Sequence, residues 1–147
     1  MATLDFSYHP NVPVLHTDLA GRTVVVVGSN VGIGFEAAKH FARMNPKRLI
    51  VTCRSQEKGV QTVESQFLLS SRSMRTRYSC TCSHAAIQKE TGFVAVEFWP
   101  LELTEFASVK AFADRFETDG GDLDILVANA AIVTRNFVLT SDGHEKA

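Results

Sequence analysis

Three glycines at the end of a β-branched run carry the most chemistry in this chain. The stretch reads Thr23-Val24-Val25-Val26-Val27-Gly28-Ser29-Asn30-Val31-Gly32-Ile33-Gly34. Phosphate binding follows from such a spacing if a helix starts at the last glycines. The first helical turn has backbone N–H groups without intrahelical partners and carries the positive end of the dipole, so phosphate oxygens gain hydrogen bonds and field together. Gly28 ends the strand in a turn that a side chain would strain, Gly32 lets backbone approach phosphate, and Gly34 lets the helix lie close to the strand. Ser29, Asn30 and Ile33 complete the candidate loop. A tight strand-to-helix turn in any α/β protein explains the same triplet by itself.

The next strand decides between nucleotides. An NAD site normally places an Asp or Glu roughly 20 residues beyond the glycines, where it accepts from the ribose 2′-OH. Here Arg54 follows the apolar run Leu49-Ile50-Val51-Thr52-Cys53, and the reading puts its guanidinium at the adenosine ribose with no carboxylate beside it. That favours a 2′-phosphate and so NADP(H) over NAD(H), with Lys58 either a second positive charge or an exposed helix-start lysine. The missing acid argues against a methyltransferase. No Lys-Ser or Lys-Thr follows the glycines, which argues against a P-loop.

These residues need a parallel sheet to hold them. The chain alternates strand and helix, the pattern of helices on both faces of such a sheet. The first helix is expected to bury Ile33, Ala37, Ala38, Phe41 and Ala42 and to stop before Asn45-Pro46, because proline disfavours a helical predecessor. A third strand is expected over Phe93–Phe98, followed by a helix whose stripe Val109, Phe112, Ala113 and Phe116 reads as core. Gly120-Gly121 then breaks the chain before a fourth strand, Leu123–Val127. Residues 1–17 read as a leader and 18–147 as a partial nucleotide-binding domain.

Three further segments, with the glycine run, make the chain resemble the short-chain dehydrogenase/reductase family. Gly28-x-x-x-Gly32-x-Gly34 has that family's glycine spacing, and Cys53-Arg54-Ser55-Gln56-Glu57-Lys58-Gly59 is similar to its NADP-preferring turn. Trp99-Pro100-Leu101-Glu102-Leu103 is similar to its adenine-side Asp-Leu, with Glu102 for Asp, and Leu126-Val127-Ala128-Asn129-Ala130-Ala131 resembles its Asn-Asn-Ala-Gly strand end, with Ala128 and Ala131 substituted. Asp18-Leu19-Ala20-Gly21-Arg22 and Thr140-Ser141-Asp142-Gly143-His144-Glu145 resemble phrases of its retinol-dehydrogenase-like group. The resemblance implies an α/β, Rossmann-type sheet, truncated to about its first four strands in the order 3-2-1-4 and placing Glu102, Leu103, Asn129, Ala130 and Ala131 at the cofactor. It implies hydride transfer between NADP and an alcohol or carbonyl of retinoid, steroid or lipid type. It also implies a catalytic Ser and Tyr-x-x-x-Lys, which the chain lacks: Tyr8 is followed four residues on by Val12, and Tyr78 by Cys82. No catalytic residue is therefore assigned.

Composition fits part of one domain. The chain has 147 residues, 45% of them hydrophobic, and a net charge of −1, which offers no field for nucleic acid or anionic membrane. Neither a signal peptide nor an apolar run of about 18 residues is visible, so a cytoplasmic protein is the expectation. Three cysteines, Cys53, Cys80 and Cys82, give an odd count with no disulfide framework. A Ser-, Arg-, Thr- and Cys-rich segment at about 66–86 interrupts the second helix and reads as an insertion. Removing it joins Val60–Ser65 to Ile87–Gly92, with Val63 and Ile87 on one apolar face. Cys80-x-Cys82-x-His84 as a metal site, or Arg72, Arg75 and Arg77 as an anion site, compete with a solvated loop.

Two functions follow as expectations. The chain is the cofactor-binding half of an NADP-dependent oxidoreductase, acting on a small-molecule substrate only in a longer form, or it is a non-catalytic nucleotide-binding or interaction fragment. A sheet ending near Asn129 leaves an edge open to self-association.

Overall fold

A computed structural model describes residues 16–54 and 80–146. Among them the elements are β1 (Thr23–Val27), α1 (Gly32–Arg43), β2 (Arg48–Cys53), α2 (Cys80–Thr91), β3 (Val96–Pro100), α3 (Phe106–Arg115) and β4 (Ile125–Ala128). A π-helical turn, Phe116–Gly120, extends α3. All strands are parallel, in the order β3-β2-β1-β4. This is the parallel sheet expected from the alternating pattern, in the Rossmann-type order that the family resemblance implies.

Alternation within each strand divides two cores. Val24 and Val26 of β1, Leu49 and Val51 of β2 and Val96 of β3 pack with Ala38 and Ala42 of α1 and Ile87 of α2. On the opposite face, Val25, Ile50 and Trp99 meet Phe112 and the Phe116 of the π turn. Both faces of β1 and β2 are thus buried, as a central parallel strand requires, and their Val- and Ile-rich runs supply the continuous apolar surface.

Several expected boundaries and burials shift. The third strand runs Val96–Pro100 rather than Phe93–Phe98, because the Phe93 N–H is spent on the Thr91 hydroxyl and Gly92, at φ +74°, donates to the Gln88 carbonyl. Pro100 is tolerated at the end of β3 because that strand lies on the sheet edge. The fourth strand runs Ile125–Ala128 rather than Leu123–Val127. Asp124 instead secures the lower end of the sheet: its carboxylate accepts from the Thr23 N–H and pairs with Arg22.

Ile33, expected to be core, is 83% exposed, since the helix begins at Gly32 and turns this side chain outward before the buried stripe of Ala38 and Ala42. The α3 stripe is only half correct. Phe112 and Phe116 reach Trp99, but Val109 and Ala113 are exposed and α3 contains no buried residue. Cys80–Ala86, read as the end of an inserted loop, forms the first turns of α2. The remainder of the segment, Val60–Ser65 and Lys58 lie outside the described residues. Cys53 is disulfide-bonded, against the expectation of no disulfide framework. An odd count requires one unpaired thiol, not three.

Two carboxylates make the fold sensitive to acid. Hydrogen bonding to Arg48, together with the Trp99 indole N–H, holds the Glu97 carboxyl below its ordinary range. The Arg22 guanidinium and the Thr23 N–H do the same for Asp124. A carboxyl depressed in the folded state stabilises it above the unfolded value of about 4, and that contribution is lost as pH falls through the folded value. Urea midpoints are therefore expected to be level from about pH 7 to 5 and to drop below about pH 4. Glu97→Gln should flatten part of that drop; an unchanged slope would contradict the assignment.

Candidate functional site

The carboxyl ends of β1, β2 and β4 meet around a crevice of about 850 Å³. Gly28 closes β1 at φ +78°, and a Cβ there would lie 2.8 Å from that of Ala130. Only glycine lets the two loops approach so closely. Gly34 sits in the first turn of α1, where a Cβ would strike the Gly28 carbonyl and the Asn129 amide. Gly32, at φ +67°, has open space where its side chain would be. The helix behind it has Val31 at its N-cap, with no side-chain capping bond.

Hydrogen bonds fix this loop from three directions. The Gly28 and Ser29 N–H groups both donate to the Thr52 carbonyl, as does the Ser29 hydroxyl at 3.3 Å. Asn129 Nδ2 donates to the Gly28 carbonyl at 3.0 Å, and the Ala130 N–H to Val27. Ser83, from α2, donates its hydroxyl to the Asn30 carbonyl at 3.0 Å. Ala131, standing where the resembling motif has glycine, is not among the residues with positive φ, so its Cβ costs nothing there.

Of the residues expected at the site, Gly28, Asn30, Arg54, Glu102, Leu103, Asn129, Ala130 and Ala131 all line the crevice. Ser29 does not; it is buried behind the turn. Gly32, Ile33 and Gly34 belong to α1 beside the crevice rather than to its wall. Lys58 lies outside the described residues. The structure adds Thr140, Glu145 and Lys146, brought over the crevice by the chain's return through the Leu139–Glu145 bridge. Ser83 and Thr52 were also missed. Nothing local marks Ser83, since its partner, Asn30, lies in the loop between β1 and α1, 53 residues away.

One expectation about charge is overturned. Arg54 does have a carboxylate beside it: its Nε lies 3.7 Å from Glu102 Oε2. The extra methylene of Glu lets the group at the end of β3 reach across to the end of β2. Burial pushes the Glu102 carboxyl up, but the Thr104 hydroxyl and N–H, with Arg54 and Lys146 nearby, hold it below its ordinary range. At neutral pH it is an anion facing the same crevice as the guanidinium. Among the described residues no cluster of His, Cys, Asp and Glu is arranged to hold a metal. Among them, too, no helix is long and apolar enough to cross a membrane.

A parallel sheet with a glycine turn at the end of its central strand and a cation at the end of the next defines a nucleotide-binding unit of the Rossmann class. Comparison with known proteins gives the kind. The chain is 36% identical over 148 residues to the short-chain dehydrogenase anuD of Penicillium roqueforti, a match covering 99% of this chain and 33% of that protein. It is 34% identical over 128 residues to the WW domain-containing oxidoreductase of Gallus gallus, covering 87% of the chain and 26% of that protein. Menthone neomenthol reductase from Mentha piperita superposes with a TM-score of 0.53 at 29% identity, over 76% of this chain and 32% of that one. No family model matches. The curated and structural relatives are short-chain dehydrogenases/reductases, and this chain is similar to a portion of them, spanning about a third of the length of the first curated relatives it matches.

Proposed function

We propose that this chain is the NADP-binding portion of a short-chain oxidoreductase. One juxtaposition carries the reading: the glycine turn closing β1 and Arg54 closing β2 face a single crevice. The first turn of α1 has no side-chain cap and Gly32 leaves its side of the loop open, a cradle that fits a pyrophosphate. Arg54 fits a ribose 2′-phosphate, with Lys58 proposed as a second positive charge. Glu102, Leu103, Asn129, Ala130 and Ala131 form the wall along which the adenosine lies.

Bound nicotinamide supplies or accepts the hydride. The chain's own residues would bind and orient it: the unpaired N–H groups of the first turn of α1 take the pyrophosphate and Arg54 selects the phosphorylated ribose. Glu102 offsets part of that selection, because a 2′-phosphate must draw Arg54 away from a carboxylate before it gains the full pair. A substrate of retinoid, steroid or lipid class belongs to the longer form of such an enzyme. The sequence contains no Tyr-x-x-x-Lys, so it offers no positioned phenol to protonate a carbonyl oxygen. Proton transfer of that kind is worth about 10²–10⁴-fold, and we infer that the chain by itself binds cofactor without turnover. The free edge of β4, with Leu126 exposed beside it, is the proposed surface for self-association.

Calorimetric titration with NADP and NAD tests the cofactor. NADP is expected to bind more tightly, and Arg54→Glu to weaken it by about tenfold or more, the worth of one charge-assisted contact. Equal affinities for the two dinucleotides, unmoved by the substitution, would remove the NADP assignment.

A further inference from the structure

We propose that Ser83 is a positioning residue for the phosphate loop, holding one peptide of the glycine turn so that its N–H faces the crevice. Resting on the dinucleotide reading, this assigns a role to the Ser- and Cys-rich segment that its composition leaves unexplained. Ser83 is 2% exposed, and its hydroxyl donates to the Asn30 carbonyl at 3.0 Å. Asn30 and Val31 line the crevice, whereas Ser83 does not, so it acts on the loop from behind.

Peptide geometry makes that contact consequential. In a planar trans unit the C=O of one residue and the N–H of the next point in opposite directions. With the Asn30 oxygen drawn toward α2, the Val31 N–H is directed away from α2. Val31 is the N-cap residue of α1, at φ −152°, where the helix dipole and the unpaired N–H groups act together on an anion. A reversed peptide would present a carbonyl oxygen to phosphate oxygens, replacing attraction with repulsion. Two residues back, the Gly28 carbonyl is held in the same manner by Asn129 from β4's exit. Two of the loop's carbonyls, Gly28 and Asn30, are therefore engaged by side chains of separate elements; the Gly28 and Ser29 N–H groups are spent on Thr52, so the Val31 N–H and the first turn of α1 are the donors offered to a ligand.

The role is specific to the pyrophosphate. Titrating the full chain with NADP and, separately, with adenosine 2′-monophosphate separates the two ends of the site. Ser83→Ala is expected to weaken NADP by about five- to tenfold, the effect of one lost hydrogen bond in a site, and to leave adenosine 2′-monophosphate unchanged. Ser83→Thr, which keeps the hydroxyl, should restore NADP binding. All titrations are made below the melting temperature of each variant, followed by circular dichroism, so that a packing loss registers as stability and not as affinity. NADP binding by Ser83→Ala equal to that of the parent overturns the role of Ser83 while leaving the nucleotide site standing. Equal loss of both ligands assigns Ser83 to general packing and overturns it too. A parent chain that takes up neither ligand removes the nucleotide reading and this inference together.

Discussion

A Trp99→Ala variant is expected to lose about 3–5 kcal/mol of stability, the range for deleting a large buried aromatic. Trp99, 1% exposed, is the only tryptophan of the chain and anchors the second core. Phe112 and Phe116 meet its ring edge-on, with centroids 5.6 and 6.0 Å away. The guanidiniums of Arg48 and Arg115 lie over the indole at 5.3 and 4.0 Å, and its N–H donates to Glu97. Because α3 has no buried residue of its own, these ring contacts carry most of its apolar attachment to the sheet. The cost should therefore appear as undocking of α3 as well as a cavity. At roughly 2–4 °C per kcal/mol for a chain of this size, the melting temperature should fall by roughly 6–20 °C. Circular dichroism is the measurement, as the variant has no indole to report. Trp99→Phe keeps a ring for the two phenylalanines and should lose less than half as much. A Trp99→Ala chain that melts with the parent would show that α3 is held by other means.

Gly34→Ala tests the opposite core at the site itself. In an exposed helix interior this change gains about 1 kcal/mol from propensity. Here the new methyl would strike the Gly28 carbonyl and the Asn129 amide, and the carbonyl is backbone that cannot step aside. Overpacking costs about 1–3 kcal/mol, and prising Asn129 from the Gly28 carbonyl adds about 1–3 kcal/mol for a buried acceptor left unpaired. The net expectation is destabilisation by about 1–5 kcal/mol with NADP affinity lowered by at least about tenfold, since the displaced groups shape the loop. Urea unfolding and NADP titration read the two effects separately. Gain of stability with unchanged affinity would mean that helix and turn separate at no cost.

The two substitutions show what pattern alone can carry. The unbroken apolar runs of β1 and β2 and the glycines after β1 are local, and from them a parallel sheet and the turn at Gly28 were legible; the Rossmann-type strand order came from the family resemblance. Arg54 was legible as a cation at the end of β2. Its ion pair with Glu102 was not, because the two are joined only where β2 and β3 lie side by side. The α3 stripe misled for a related reason: periodicity at Val109, Phe112, Ala113 and Phe116 describes one helical face, not how much of it a sheet will cover. Ile33 was misjudged by the same logic at a helix start.

The sequence by itself determined the alternation of strand and helix, the parallel sheet and the glycine turn, since each depends on residue type and spacing over a few positions. Tertiary structure decided which carbonyls of that turn are held, by Asn129 from one side and Ser83 from another, and which acid meets Arg54. Hydrogen bonds between side chains and backbone act over about 3 Å, whereas the partners stand 101 and 53 residues apart in the chain. Only the packing of β4 and α2 against β1 and α1 brings them within that reach.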